Sequence, residues 1–237
     1  MASWRIERRP AETQSAGVVD GYAQTAQRWP AAPLVRRPLT GSELSGPQPV
    51  LRRLAPVGGE RFADLAGRGA KRALGQLIHI RARVVDEDGA PVPGAVVEIW
   101  HCNAAGKYIH KNDTHDAPID PNFNGAARLV AGDSGLVELR TIKPAAYPVP
   151  GTGGWWRPPH VHFSVWGRVW LSRLVTQMFF PGDPLNDADA ILNAVRDAEA
   201  RERCIARLAP TGKGPEDALV YEYLLVVRGR KSAPAMP

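Results

Sequence analysis

Residues 77–102, LIHIRARVVDEDGAPVPGAVVEIWHC, contain two strand-like segments on either side of a turn, and they decide the fold class. In Leu77–Val85 apolar residues recur at every second position, so one face of an extended chain is apolar. Asp88-Gly89 is a strong turn signal, and Ala95–Cys102 again has the composition of a strand. The stretch therefore predicts two consecutive β-strands, each with one buried face.

The rest of the chain predicts more short strands, separated by turn signals. They are expected at Ala127–Val130, Leu136–Ile142, His160–Trp166, Leu174–Phe180 and Ala218–Arg228. Many short strands of this kind are typical of an all-β sandwich. One helix is predicted in the C-terminal half, over Asp187–Leu208, where Ala, Arg, Glu and Leu dominate and Asn186 or Asp187 can cap the start.

The first third of the chain has a different composition. Residues 1–74 are rich in Pro, Gly, Ala and Arg and show little periodicity. They predict an extended, largely irregular arm with a short helical piece around Glu60–Leu65. We therefore expect two parts: an arm over 1–74 that wraps the core or a partner subunit, and a β-sandwich domain over 75–237 that carries any active site.

Composition and charge exclude several classes of protein. The chain has 237 residues, of which 44% are hydrophobic and 23% charged, as in soluble globular proteins. No apolar run approaches the ~20 residues of a membrane span, and no apolar signal segment follows the N-terminus. Cys102 and Cys204 do not make a disulfide framework, so a cytoplasmic location is expected.

The positive charge is confined to one end of the chain. Residues 1–75 hold 12 Lys or Arg against 6 Asp or Glu, which accounts for the whole net charge of +6. Because no recognition helix or aromatic-interleaved basic motif is present, nucleic-acid binding is disfavoured. A basic arm that lies on an acidic partner subunit, or steers anionic substrates, is the favoured interpretation.

The His160-Val161-His162 triplet is a candidate for metal binding. Residues i and i+2 of a strand project from the same face, which places two imidazoles side by side. The triplet alone is weak evidence, because two histidines on a polar strand face need no function. Zinc and Fe(II) sites also use it, normally with a third histidine, a carboxylate or a thiolate.

Two tyrosines favour a metal site over the interpretation that the two histidines have no function. Tyr108 follows the second predicted strand, and Tyr147 lies in a proline-bracketed turn. A lone tyrosine in a loop is usually a packing residue with a solvated hydroxyl. If both phenols meet both imidazoles, however, hard anionic oxygens and borderline nitrogens together suit a hard, highly charged metal, above all Fe(III). Arg157, three residues before His160, is either a surface arginine or a fixed cation that stabilises an anionic substrate beside that metal.

Several segments together resemble the intradiol ring-cleavage dioxygenase family, and in particular its protocatechuate-cleaving β chains. From Gly75 to about Ile191 the segments are RVVDEDGAPVPGAVVEIWHCNAAGKYIHKND, DPNFNG, RTIKPAAYPVP, WWRPPHVHFSV and LVTQMFFPGDPL. The resemblance extends to GYAQT at 21–25, SELSGP at 42–47 and YEYLLVVRGR at 221–230. Taken singly these motifs are weak, but jointly and in family order they are specific.

The resemblance implies a non-haem Fe(III) cofactor, one per chain, with four protein ligands. Tyr147 and His162 would be axial ligands, and Tyr108 and His160 equatorial ones, with water or hydroxide as the fifth ligand. In the family the axial tyrosine leaves the iron when a catechol binds. The family's β-sandwich fold agrees with the fold predicted from the strand pattern.

The resemblance also implies the surroundings of the iron. Arg157 and Gln177 would lie beside the reacting ring, and Trp100, Ile191 and Tyr22 would form walls of the pocket. Tyr22 would come from the N-terminal arm. A homologous, non-catalytic α chain is the expected partner, in α–β pairs that assemble further.

The substrate implied by the resemblance is protocatechuate, cleaved by O2 to 3-carboxy-cis,cis-muconate. Val149 stands where the family usually has tryptophan, which keeps 4-sulfocatechol or another substituted catechol open. His101 stands where related β chains often carry glutamine. The alternative function is a non-catalytic, transthyretin-like β-sandwich module, which the turn and Pro-Val-Pro-Gly segment within residues 84–100 also resemble.

Overall fold

The structure, a computed structural model, describes residues 61–68, 71–167, 173–210 and 218–227. The strands in these ranges are β1 (Phe62–Asp64), β2 (Gly67–Arg68), β3 (Lys71–Arg72), β4 (Leu77–Val85), β5 (Val96–Trp100), β6 (Ala126–Val130), β7 (Leu136–Ile142), β8 (Tyr147–Pro148), β9 (Trp156–Arg157), β10 (His160–Trp166), β11 (Arg173–Phe179), β12 (Arg207–Leu208) and β13 (Leu219–Val226). The helices are a 3₁₀-helix (Pro184–Ala188), α1 (Ala190–Asn193) and α2 (Ala198–Glu202). Tyr22 and the rest of the predicted arm up to residue 60 lie outside the described residues.

Two sheets make up the architecture. The first has the strand order β1-β7-β4-β13-β12 and the second β11-β10-β5-β6. The β1–β7 and β4–β13 pairs are parallel, and the other pairs within these two sheets are antiparallel. Two small hairpins, β2–β3 and β8–β9, lie outside the sheets. The all-β sandwich predicted from the sequence is confirmed.

Apolar side chains from both sheets form one core. Those of β4 and β10 are Ile78, Ile80, Ala82, Val84, Val161, Phe163 and Val165, all fully buried or nearly so. The ring of Phe163 in the second sheet packs on Tyr223 of the first, with centroids 5.4 Å apart. Because side chains alternate along a strand, the even-numbered residues of β10, including His160 and His162, face away from this core.

The long helix predicted over Asp187–Leu208 is wrong. The segment is divided into the end of the 3₁₀-helix, α1, α2 and strand β12. Asp189 and Asp197 each accept backbone N–H groups as N-caps and so begin α1 and α2 separately. A cap side chain competes with continued helix for the same backbone groups, which outweighs the favourable composition of the segment.

The short helical piece predicted around Glu60–Leu65 is also wrong where the structure describes it. Phe62–Asp64 is a strand that pairs in parallel with Glu138–Arg140 of β7. The edge of β7 offers unpaired backbone groups, and satisfying them outweighs a weak local helix preference. Leu65 and Ala66, which follow this strand, are buried in the core.

Two expectations about the chain's setting can be compared with the structure. Cys102 and Cys204 are both free thiols, as expected from their number. None of the helices in the described ranges has the length and apolar character needed to cross a membrane.

Candidate metal centre

The outer face of β10 carries the two histidines. In the sheet register, His162 lies opposite Gln177 of β11 on one side and opposite Trp100 of β5 on the other. The chain between β5 and β6 brings Tyr108 over this face, and the β8–β9 hairpin brings Tyr147. Three separate parts of the chain therefore build the cluster on a rigid sheet.

All four predicted ligand residues converge. Tyr108 Oη lies 3.2 Å from His162 Nε2 and 3.4 Å from His160 Nε2. Tyr147 Oη lies 3.3 Å from His160 Nε2, and the two phenol rings meet edge to face with centroids 5.4 Å apart. Donor atoms at these separations can share one ion with metal–ligand bonds of about 2 Å.

The type of donor restricts which metal fits. Within the described ranges, no group of three or more His, Cys, Asp or Glu side chains is arranged to hold a metal ion. A metal at the cluster would thus need the phenol oxygens of Tyr108 and Tyr147 together with the imidazole nitrogens. Two potential phenolates favour a hard, highly charged cation.

The histidines are held ready to act as ligands. His160 Nδ1 lies 2.7 Å from the Pro158 carbonyl oxygen, which can only accept, so Nδ1 carries the proton and the Nε2 lone pair faces the phenols. Burial, reinforced by the charge of Arg157, holds the pKa of His160 well below its usual range. The same causes lower the pKa of His162 to about 3. Both imidazoles are therefore neutral at pH 7, as metal ligation requires.

The phenols need a cation before they can act as ligands. Burial, followed by repulsion from Tyr147, raises the pKa of Tyr108 well above its usual value. A buried phenol of this kind stays protonated at neutral pH unless positive charge is close by. A bound metal ion supplies that charge and deprotonates its ligands, so the donor set fits a trivalent ion such as Fe(III).

Trp100 supports one of these histidines directly. Its ring stacks on His162 with centroids 4.8 Å apart and planes 5° from parallel. The register of β5 against β10 imposes this contact, because the two residues are directly opposed. In the described structure Trp100 therefore orients a candidate ligand. The sequence predicts a different role for it, as part of a pocket wall.

Arg157 is buried and bound on several sides. Its Nη1 lies 3.4 Å from His160 Nε2, and its Nη2 donates to Gln177 Oε1 at 2.7 Å. Its Nε donates to Asp189 Oδ2 at 3.0 Å. The sequence indicates Arg157 and Gln177 but not Asp189, whose position inside a helix-like stretch conceals it.

A network of polar contacts anchors the loop that carries Tyr108. Asp113 Oδ2 accepts the Tyr108 backbone N–H at 2.7 Å, and Asp113 Oδ1 accepts that of His115 at 2.8 Å. Lys107 Nζ lies 3.5 Å from Asp113 Oδ1 and donates to the carbonyls of Asp113 and His115. Asp113 is a second residue that sequence reasoning missed; the dense Asn and Asp content of this loop is the signal that could have indicated it.

The remaining predicted residues are placed as follows. Ile191 is half-buried in the first turn of α1, and its N–H donates to Asp189 Oδ1 at 2.7 Å. Val149 is 7% exposed, and its N–H donates to the Trp155 carbonyl. His101 is fully buried between the Cys102 carbonyl and the Thr141 hydroxyl.

Comparison with known proteins gives matches over most of the chain. A family model described as Dioxygenase matches residues 57–229. The protocatechuate 3,4-dioxygenase beta chain of Burkholderia cepacia is 43% identical over 226 residues, covering 89% of this chain and 96% of that protein. Hydroxyquinol 1,2-dioxygenase of Rhizobium sp. (strain MTP-10005) is 33% identical over 128 residues, covering 49% of this chain and 42% of that protein.

Solved structures agree with the fold. Catechol 1,2-dioxygenase from Acinetobacter sp. ADP1 matches with a TM-score of 0.54 and 25% identity, covering 76% of this chain and 62% of that one. 3-Chlorocatechol 1,2-dioxygenase from Rhodococcus opacus 1CP matches with a TM-score of 0.56 and 23% identity, covering 73% and 68%. The second likeness is one of fold alone.

Proposed function

The chain belongs to the dioxygenase family and, within it, to the intradiol ring-cleaving enzymes, and on this premise we propose that it cleaves a catechol with an anionic substituent at a non-haem Fe(III) site. The observation that carries the proposal is the convergence of two phenol oxygens and two imidazole nitrogens, which are linked by three oxygen–nitrogen distances of 3.2 to 3.4 Å. A non-catalytic module has no need of that donor set, so the enzyme is favoured over a binding module.

The proposed ligands are Tyr108, Tyr147, His160 and His162, with one iron per chain. A ferric ion held by them would supply a Lewis acid that binds both oxygens of a catechol and withdraws electron density from the ring. The protein holds both histidines neutral and directs His160 Nε2 towards the phenols through the Pro158 carbonyl. These features prepare the donors before any ligand arrives.

Proton transfer is assigned to Tyr147. A phenolate at its Oη is a strong enough base to take a proton from a catechol hydroxyl. Tyr147 lies on the two-residue strand β8 of a small hairpin outside the two main sheets, and its Oη lies 3.3 Å from His160 Nε2. The short hairpin that carries it, together with the family resemblance, supports Tyr147 as the phenol that separates from the cluster when a substrate binds.

Charge stabilisation is assigned to Arg157. The guanidinium is buried and one of its nitrogens faces the cluster at His160. In a water-poor site a fixed cation strongly stabilises the negative charge that develops on an electron-rich ring. Gln177 accepts a hydrogen bond from the same guanidinium, and its proposed role is to keep that group close to the reacting ring.

The proposed substrate is protocatechuate. In the reaction the carbon–carbon bond between the two hydroxylated carbons breaks, both atoms of O2 enter the product, and 3-carboxy-cis,cis-muconate forms. The 43% identity to a protocatechuate 3,4-dioxygenase beta chain supports this substrate. Val149 supports 4-sulfocatechol as the alternative, because its side chain is much smaller than the tryptophan expected there.

The metal and the reaction class are tested by colour and by turnover. Iron-loaded protein should be wine-red from tyrosinate-to-iron charge transfer, and the band should shift when a catechol is added without oxygen. Oxygen uptake over a panel of substituted catechols, with protocatechuate and 4-sulfocatechol in parallel, then identifies the substrate. A colourless protein that stays inactive after iron reconstitution, with its partner present, would contradict the proposal.

A homologous α chain is the proposed partner. The support is the name of the 43% identical relative, which is one chain of a multi-chain enzyme, and the basic character of residues 1–75. Expression of this chain alone and together with an α chain, followed by a measurement of particle size and activity, tests the pairing. A stable, fully active monomer would refute it.

A further inference from the structure

The two carboxylate oxygens of Asp189 bind different groups: one binds the buried Arg157 and the other caps the start of helix α1. Its Oδ2 accepts a hydrogen bond from Arg157 Nε at 3.0 Å and forms an ion pair with Nη2 at 2.9 Å. Its Oδ1 accepts the backbone N–H groups of Ile191 at 2.7 Å and Leu192 at 3.1 Å. The side chains of Arg157 and Asp189 are 2% and 0% exposed. One buried carboxylate thus joins the reacting centre to a separate helix.

This ion pair determines where the guanidinium points. Asp189 engages Nε and Nη2 of Arg157, and Gln177 also binds Nη2. Because the guanidinium is planar and rigid, fixing two of its nitrogens fixes the third. The third nitrogen, Nη1, is the one that lies 3.4 Å from His160 Nε2. The direction of the cation towards the ligand cluster therefore depends on the carboxylate.

The local backbone gives Arg157 little other support. Its strand, β9, has two residues and, within the described ranges, pairs with the equally short β8. A buried guanidinium without a counter-charge is costly, and the side chain would turn towards water or another acceptor. Asp189 removes that cost, so the cation can remain in the interior beside the cluster.

We propose that Asp189 is a positioning residue for ring cleavage, which acts by holding Arg157 towards the ligand cluster and by coupling it to Ile191 at the start of α1. The inference rests on the proposed function, since Arg157 stabilises charge only if the reaction takes place there. The effect of Asp189 passes through the guanidinium of Arg157, and the same carboxylate places Ile191, the residue predicted to form a pocket wall.

The test compares Asp189→Asn with the matched variant Asp183→Asn in the iron-loaded enzyme. Asp183 caps the neighbouring 3₁₀-helix through the Leu185 N–H at 3.0 Å. Loss of an outer hydrogen-bond partner typically lowers activity 10- to 100-fold, so we expect kcat of Asp189→Asn to fall by about that factor while KM changes less. Asp183→Asn should keep kcat within about twofold, since asparagine removes the charge, still caps the helix and leaves the arginine's partner in place.

A double variant shows whether Asp189 acts through Arg157. In an Arg157→Ala background, Asp189→Asn should produce no further loss of kcat, because the group it positions is gone. Equal losses with and without the arginine would overturn the inference, as would wild-type kcat in Asp189→Asn. A wild-type enzyme that turns over no catechol would instead refute the proposed function, and these outcomes are distinct.

A readout independent of activity is the Arg157 Nε–H resonance in ¹⁵N NMR of the metal-free full chain, identified by its loss in Arg157→Lys. It should exchange slowly in the wild type and in Asp183→Asn and should shift or broaden in Asp189→Asn. Should that variant not fold, Asp189→Ser keeps an N-cap oxygen without the charge and carries the same expectations. Absence of a slowly exchanging Arg157 signal in the wild type would overturn the inference by itself.

Discussion

Trp100 and His162 stack face to face, with ring centroids 4.8 Å apart and planes 5° from parallel. The contact follows from the register of β5 and β10, in which these two residues are directly opposed. It restricts rotation of the imidazole ring and so helps to set the direction of Nε2. A residue predicted only to form a pocket wall is thereby linked to metal affinity.

Replacement of Trp100 by leucine should therefore weaken the metal site. We expect iron affinity to fall by about tenfold or more, the usual cost of losing a contact that orients a ligand, while Trp100→Phe retains most of it. Iron per chain after dialysis and the intensity of the charge-transfer band measure the effect. Trp156→Leu is the control, because Trp156 is 47% exposed; equal iron loss in both variants would contradict the prediction.

The two tyrosines should differ when each is replaced by phenylalanine. Tyr147→Phe should keep close to one iron per chain because three ligands persist, while kcat falls by roughly 10²-fold or more through loss of the base. Tyr108→Phe should damage the iron site more, since Tyr108 Oη contacts both imidazole nitrogens. Iron content, the visible spectrum and oxygen uptake distinguish the two.

Tyr221→Phe is the matched control for these variants. Tyr221 is a buried tyrosine that packs edge to face on Phe180 in the core. Its replacement should leave the iron spectrum unchanged. If neither Tyr108→Phe nor Tyr147→Phe altered the spectrum or the rate, the assignment of ligands would be wrong.

Buried His101 should make stability depend on pH. Burial lowers its pKa to about 4, whereas the unfolded chain titrates near ~6.5. Between these values the unfolded state binds more protons, so the free energy of unfolding falls as pH decreases. The contribution is full above the unfolded pKa and is lost towards the folded pKa, with a limiting slope of about 1.4 kcal/mol per pH unit.

The variant His101→Gln tests this slope. Glutamine can still bind the Cys102 carbonyl and the Thr141 hydroxyl but does not titrate. Urea unfolding between pH 7 and 4.5 should show a flatter pH dependence in this variant than in the wild type. His110→Gln, at an exposed position, should not flatten it; an unchanged slope in His101→Gln would remove His101 as the cause.

Asp113 should be required for the shape of the loop that carries Tyr108. Asp113→Ala removes the acceptor of two backbone N–H groups and the partner of Lys107. Hydrogen bonds to a charged group contribute about 1.5–3 kcal/mol each, so we expect lower thermal stability and iron content. The exposed Asp116 of the same loop provides the control Asp116→Ala, which should match the wild type in both measurements.

The positions of several strands could be predicted from the local sequence pattern. Leu77–Val85, Leu136–Ile142 and His160–Trp166 have the predicted bounds in the structure. In such segments one face is buried, so apolar side chains are required at alternate positions, and this alternation is visible in the sequence. The same rule places His160 and His162 on one face of one strand.

The segments that connect the strands were harder to predict from the sequence, because contacts with residues far away in the chain determine their structure. Composition favours a helix over Asp187–Leu208, but Asp189 is drawn into a buried ion pair with Arg157 and begins a separate short helix. Phe62–Asp64 becomes a strand because the edge of β7 is available to it. Neither the ion pair nor the sheet edge can be read from a local window.

Periodicity and residue chemistry alone therefore yield an all-β chain with a pair of cis-facing imidazoles, and motif resemblance adds the identity of two distant phenols. Only folding brings the phenol oxygens of Tyr108 and Tyr147 to 3.2–3.4 Å from imidazole nitrogens of that pair, and only folding places Asp189 beside Arg157. The reason is separation along the sequence. Side-chain alternation is a property of neighbouring residues, whereas a set of metal ligands and a buried counter-charge depend on distant segments that the packed core brings together.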